Sequence, residues 1–201
     1  MRTENGLELA LERRAARVEN LKAKIAALNY ADFGGKITFE IGCGKGHYLS
    51  AYGAAHKSEL CVGIDLISSR IRDGERKNEK RGNANVHFIK AFSSEFLDAM
   101  PADLKFQKIF IFFPDPWPKK RHHKHRLIQP EFLTQIKKYC AADVRLFFRT
   151  DHAEYFEWAR EIFESHPDWQ ILPEENLEFE EVSQFQRLLP DFQTLCAALK
   201  P

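Results

Sequence analysis

The chain has 201 residues, 44% of them hydrophobic and 29% charged, with a formal net charge of +1. That suits one domain with a single sizeable core and excludes disordered, collagen-like and helical membrane classes, because no apolar run reaches the roughly 20 residues a spanning helix needs. Four scattered cysteines (Cys43, Cys61, Cys140, Cys196) form no C-x-x-C pair, so neither a disulfide framework nor a zinc site is expected, and reduced thiols point to the cytoplasm.

Met1 to Asn20 is charged throughout and lacks an apolar h-region, so no secretory signal is expected. Between Leu7 and Leu28, which contains no Gly or Pro, Leu7, Leu11, Val18, Leu21, Ile25 and Leu28 follow three- and four-residue steps interrupted by Arg14. This stripe predicts a short N-terminal helix packed on the domain. Residues 1–35 are therefore read as a helical extension and 36–201 as the domain proper. The other helix faces carry Arg13, Arg17, Lys22 and Lys24, read as a solvated surface, with contact to RNA phosphates as the alternative.

From Lys36 onward, apolar runs alternate with helical segments. Strands are expected at Ile37–Ile41, Leu60–Ile64, Val86–Ile89, Lys108–Phe113 and Arg145–Arg149, and helices at His47–Ala55, Ser68–Arg81, Ser93–Ala99, Pro130–Tyr139 and Ala153–Ser165. Buried strands separated by helices predict βαβ units and right-handed crossovers, hence a doubly wound α/β domain with helices on both faces. Trp169–Leu172 and Phe192–Leu199 would complete a mostly parallel seven-stranded sheet, with an acidic stretch, Glu174 to Glu181, between them.

Glu40-Ile-Gly42-Cys-Gly44-Lys-Gly46 joins the first strand to the helix that follows. Glycines permit positive φ there and let a ligand lie against bare backbone. The spacing is G-x-G-x-G, whereas a dinucleotide loop reads G-x-G-x-x-G and would need a glycine at His47. Glu40 would repel a pyrophosphate and attract a ligand carrying an ammonium and a sulfonium. Asp65 ends the second strand, where a carboxylate can accept both ribose hydroxyls. Glu40, Gly42, Gly44, Gly46 and Asp65 are thus candidate cofactor contacts.

Phe110-Ile-Phe112-Phe113 runs into Pro114-Asp115-Pro116-Trp117-Pro118, whose prolines stiffen the loop. Lys119 to Arg126 follows with five formal positive charges and three histidines in eight positions. Such a concentration beside a cleft suits a polyanion such as RNA. A metal at His122, His123 and His125 is not expected, because no nearby carboxylate or Cys completes the set.

On these residues the chain resembles the tRNA (guanine-N7)-methyltransferase family over about residues 36 to 165. The carriers are E-I-G-C-G-K-G (Glu40–Gly46), G-I-D (Gly63–Asp65), F-F-P-D-P-W-P-K-K-R-H-H-K-H-R-L (Phe112–Leu127), Q-P-E-F-L (Gln129–Leu133) and R-T-D-H (Arg149–His152). The resemblance implies a Rossmann-like class I methyltransferase using S-adenosyl-L-methionine to methylate N7 of a guanine in tRNA. It implies Glu40, Asp65 and Asp115 near the cofactor, with Asp115 as the acidic residue of the catalytic site. Lys119 and Asp151 would hold the RNA or the target guanine, and Glu180 would make a late contact closing the site. No obligatory protein partner is expected, and the chain would act as a monomer or homodimer. The chain departs from the family pattern at Leu177, where a Thr is usual, and at Ala91-Phe92, where a carboxylate or Asn is usual. Leu188-Leu-Pro190-Asp also stands where a glycine precedes the final strand. A catalytically silent RNA-binding protein on the same fold is the alternative reading.

Overall fold

The computed structural model describes residues 2–173, 177, 179, 181 and 191–201. Among these residues the order is α1 (Arg2–Ala26), β1 (Lys36–Ile41), α2 (His47–Ala55), β2 (Leu60–Asp65), α3 (Ser68–Arg81), β3 (Val86–Lys90), α4 (Ser93–Ala99), β4 (Lys105–Phe112), α5 (Pro130–Lys137), β5 (Cys140–Thr150), α6 (Ala153–Ser165), β6 (Trp169–Ile171) and β7 (Gln193–Leu199). The acidic stretch, Glu180 and the Leu188–Pro190 step lie wholly or mostly outside the described residues.

The seven strands form one sheet in the order β3-β2-β1-β4-β5-β7-β6. β1 to β5 pair in parallel, and β7 runs antiparallel between β5 and β6. The doubly wound, Rossmann-like architecture expected from the alternation of apolar runs and helices is the one found. β1 and β2 are buried along nearly their whole length, which is why they read as continuous apolar runs rather than alternating ones. The sheet divides the core into two layers. Phe39, Ile109, Ile111 and Phe148 pack with Leu21 and Ile25 of α1, Phe96 of α4, Leu133 of α5 and Tyr155 of α6. On the other side Phe88, Phe110 and Phe147 pack with Tyr48, Leu49 and Tyr52 of α2 and Ile71 of α3. Phe39 is stacked between Phe96 and Phe106, each centroid 4.7 Å away.

Element ends differ from the sequence expectation for local reasons. β4 stops at Phe112 because Phe113 takes φ 50°, outside the extended region. β4 pairs Phe106 with Ile37 and then Lys108 with Thr38, so Gln107 is skipped as a bulge. Gln107 instead donates from Nε2 to Thr38 Oγ1 at 3.2 Å. β5 begins at Cys140, because Cys140 pairs with Phe106 ahead of the main ladder.

α1 divides in two. Val18, Leu21, Ile25 and Leu28 are buried, whereas Leu7 and Leu11 are 64% and 59% exposed. The stripe is continuous in sequence, but only its second half meets the domain. Arg17 forks onto Glu95 of α4, with Nη2 2.6 Å from Oε1, and Arg14 pairs with Asp98. No helix among the described residues is long and apolar enough to cross a membrane.

Candidate active site

Because β1, β2, β4 and β5 are parallel, their carboxyl ends share one edge of the sheet. Strand order reverses between β1 and β4, and such a switch point leaves a crevice outside the strand ends where ligands bind. Pairing of Ile41 with Ile64 and with Ile111, and of Phe112 with Arg149, brings the segments after these strands to one level. Glu40 in β1, Asp65 at the end of β2, and Asp115 and Asp151 in the segments after β4 and β5 therefore lie toward one edge of the sheet.

The glycine loop is pinned from below: the Gly42 and Cys43 N–H groups both donate to the Ile64 carbonyl at 2.9 Å. Gly42, Gly44 and Gly46 adopt φ of 77°, 54° and 65°, a region only glycine enters freely. They serve different purposes. Among the described residues, a Cβ on Gly42 or Gly44 would meet nothing within 4 Å, so bare backbone is open to a ligand there. A Cβ on Gly46 would lie 2.5 Å from the Phe88 ring and 2.9 Å from Gly74 Cα, so Gly46 lets the loop close onto α3.

Glu40 is 4% exposed, and its Oε2 is buried without a hydrogen-bond partner among the described residues. Desolvation pushes its carboxyl up to about 8, against a backbone hydrogen bond at Leu49 and with a smaller push from Asp65. An unpartnered buried carboxylate oxygen is costly, and its position beside the open glycine backbone suits a cationic ligand group. Asp65 is anchored, accepting from Ile67 N–H at 2.8 Å and Gly44 N–H at 3.1 Å, with Arg70 3.5 Å away. A carboxylate has about four acceptor positions, so Asp65 keeps capacity for further hydroxyl donors. Leu66, Ile67 and Phe92 at the ends of β2 and β3 are about half exposed, an apolar rim suited to a flat ring.

The Asp115 loop is strained at both ends. Phe113 and Trp117 hold φ of 50° and 46°, each costing about 1–3 kcal/mol for a bulky side chain. Phe113 N–H donates to the Arg149 carbonyl at 2.8 Å, tying the loop to the end of β5. Asp115 and Asp151 are exposed, and among the described residues neither carboxylate has a hydrogen bond or ion pair. Beyond the loop, a single 3₁₀ segment, Lys120–His125, displays the basic tract. Lys119, Lys120, Arg121 and Lys124 are exposed, and Trp117 packs against His122 and His125 at 5.8 and 5.1 Å.

Three residues had no role assigned from sequence. Arg126, counted with the exposed cations, is buried. Arg149 is buried with its guanidinium over the Phe192 and Phe112 rings, 4.4 and 5.1 Å from their centroids. Its only signal was membership of R-T-D-H. Tyr48 packs edge-on against Phe110 and Phe112 and donates to the Phe179 carbonyl at 3.2 Å; nothing in the sequence pattern singled it out. His152 of R-T-D-H caps α6, its Nδ1 accepting from Tyr155 N–H at 3.2 Å. A separate cavity of about 620 Å³ lies between α6 and β6–β7, lined by Phe156, Arg160, Leu172 and Thr194 among others, and the glycine loop takes no part in it. Glu180 lies outside the described residues.

A profile of the family described as "Putative methyltransferase" matches residues 35–200. Among curated proteins, the chain is 31% identical over 138 residues to a tRNA (guanine-N(7)-)-methyltransferase of Caulobacter vibrioides, covering 69% of this chain and 61% of that one. It is 36% identical over 129 residues to one of Alkalilimnicola ehrlichii, covering 64% and 54%. The matched region thus spans between about half and two-thirds of these relatives. Among solved structures, the 16S rRNA methyltransferase KamB superposes with a TM-score of 0.59 at 17% identity, over 83% of this chain and 88% of that one. A precorrin-6y C5,15-methyltransferase of Geobacter metallireducens gives 0.57 at 13%, over 82% and 79%. At such identities these structures establish the class I fold alone.

Proposed function

Starting from the fact that the chain belongs to this methyltransferase family, we propose that it transfers a methyl group from S-adenosyl-L-methionine to N7 of a guanine in tRNA, acting in the cytoplasm without an obligatory protein partner. The observation that carries the reading is a single shared edge: an open glycine loop with buried carboxylates on one side of the switch point, and a strained acidic loop leading into exposed cations on the other. The names of the curated relatives support the same substrate.

The residues present fit the cofactor. Glu40, with its unpartnered buried oxygen, would accept its ammonium. Gly42 and Gly44 would lie against its chain, Asp65 would take the ribose hydroxyls, and Leu66, Ile67 and Phe92 would cover the adenine. The departure at Ala91-Phe92 replaces a polar contact with an apolar one, leaving the adenine amine to backbone or water. When bound, S-adenosyl-L-methionine supplies an electrophilic methyl group on a sulfonium.

Guanine N7 presents an in-plane lone pair, so no side chain has to remove a proton first. The work left to the chain is alignment and charge management. Positive charge appears on the purine during transfer, and a fixed carboxylate at Asp115 would stabilise it and orient the base through its N–H groups. Asp151, just past the end of the neighbouring β5, would share in holding the base, and Glu180 would make a late contact to it. Lys119 and the exposed cations after it would carry the RNA phosphates. Trp117 and Phe113 offer rings to a base drawn from its stack.

The test is methyl transfer from labelled S-adenosyl-L-methionine to tRNA lacking the modification, followed by chemical cleavage at N7-methylguanosine. Cleavage at one position supports reaction, atom and site together. Label without cleavage discards N7. Binding of tRNA without label replaces the proposal with a silent RNA-binding protein.

A further inference from the structure

The basic tract ends in a cation that cannot reach RNA. The Arg126 side chain has no solvent exposure. Its Nε donates to the Pro116 carbonyl at 2.8 Å, its Nη2 lies 3.4 Å from Glu154 Oε1, and its guanidinium carbon sits 5.0 and 5.2 Å from the Tyr155 and Trp158 ring centroids. These partners come from two places: the loop after β4, and the first turns of the helix after β5.

We propose that Arg126 is a positioning residue, a latch that holds the Pro114–Trp117 loop, and Asp115 with it, against α6. The inference rests on the methyl-transfer reading above and extends it. Pro116 contributes the carbonyl of the peptide unit entering Trp117, which has positive φ, so Arg126 grips the backbone where it is strained and one residue from Asp115. Phe113 N–H on the Arg149 carbonyl holds the opposite end. Surrounding bonds tighten the same junction. The Ile128 N–H donates to Tyr155 Oη at 3.2 Å, Trp158 Nε1 donates to the Ile128 carbonyl at 3.0 Å, and Gln129 Nε2 donates to the His123 carbonyl at 2.7 Å. Arg126 Nη1 is buried without a partner among the described residues. An apolar side chain would often be as stable here; the guanidinium adds a directed grip between two aromatic faces. Because α6 begins just past Asp151, the latch also fixes the spacing between the two carboxylates proposed to hold the base.

Arg126→Lys separates a latch from an RNA contact. Lysine replaces arginine well as a point charge toward phosphate, but it cannot stack as a plane while reaching two acceptors. The expected result is a fall in kcat of about 10- to 100-fold, with cofactor affinity, thermal midpoint and the salt dependence of tRNA binding close to wild type. An unchanged kcat, or a salt slope reduced by about one unit as for a lost phosphate contact, overturns the proposal. A second readout needs no turnover: in protein labelled with fluorotryptophan, the Trp117 resonance, assigned by its loss in Trp117→Phe, should shift or broaden in Arg126→Lys while that of Trp169 stays. A Trp117 line unmoved in folded Arg126→Lys refutes the latch. Absence of methyl transfer by the wild type would refute the functional reading instead.

Discussion

Replacing Glu40 by Gln keeps the side-chain volume and removes one ionisation. Burial lifts this carboxyl from 4.5 to about 8 in the folded chain. Between those values the native state holds a proton that the unfolded state has released, so stability falls as pH rises through the window and levels off above it. The gap of about 3.5 units, at about 1.4 kcal/mol each, sets a ceiling near 5 kcal/mol, and relaxation around the charge brings the expected figure to about 3–5 kcal/mol. Urea denaturation of the cofactor-free protein should therefore show Glu40→Gln within about 1 kcal/mol of wild type near pH 5. Near pH 8.5 the variant should be more stable by most of that 3–5 kcal/mol. The same substitution should abolish cofactor binding, because the acid can release its proton when an ammonium arrives and the amide cannot become charged. Equal differences at the two pH values, or a wild type that gains stability toward alkaline pH relative to the variant, would refute the account of Glu40.

Asp115→Ala should lower turnover at least about 100-fold while cofactor binding and fold survive; normal turnover in a single-turnover assay would remove Asp115 from the chemistry. Replacing Lys119, Lys120 and Arg121 together by Ala should flatten the salt dependence of tRNA binding by about two units of log–log slope, and an unchanged slope would place the tract away from RNA. The divided helix α1 makes a stability prediction. Leu21→Ala should cost about 2–5 kcal/mol in a denaturant titration and Leu11→Ala less than about 0.5 kcal/mol; equal costs would mean that the first half of α1 is packed after all.

The sheet was legible because its strands are short apolar runs, and Gly42, Asp65, Pro114 and Asp151 punctuate their carboxyl ends. Spacing alone marked the loops that meet at the switch point. What remained hidden depends on the third dimension. The three- and four-residue steps from Leu7 to Leu28 do not say where the domain surface ends. A count of charges from Lys119 to Arg126 treats every cation alike, although the last lies between Tyr155 and Trp158 and the others face solvent. Gly46 has the same motif position as a ligand-cradling glycine, yet its missing side chain makes room for Phe88. The strand-end reading of Phe113 failed on a backbone angle, since Phe110 to Phe113 is uniformly apolar and only the following proline hinted at the break.

The bulge at Gln107 has consequences well beyond its own hydrogen bond. Side chains on a strand alternate, and one extra residue reverses the parity of everything downstream. Phe106 and Ile109 share a layer although they are three positions apart, because the bulge absorbs Gln107, and the same shift sends Phe110 and Phe112 toward α2. Deleting this one residue would leave Phe106 and Ile109 two positions apart in a regular strand, still opposite Ile37 and Phe39, so both faces of β4 and the aim of the Asp115 loop should survive the deletion. For a lineage carrying this fold, the length of β4 before Lys108 is therefore a place where one residue can be gained or lost, whereas the same change after Lys108 would reverse the faces that aim the loop.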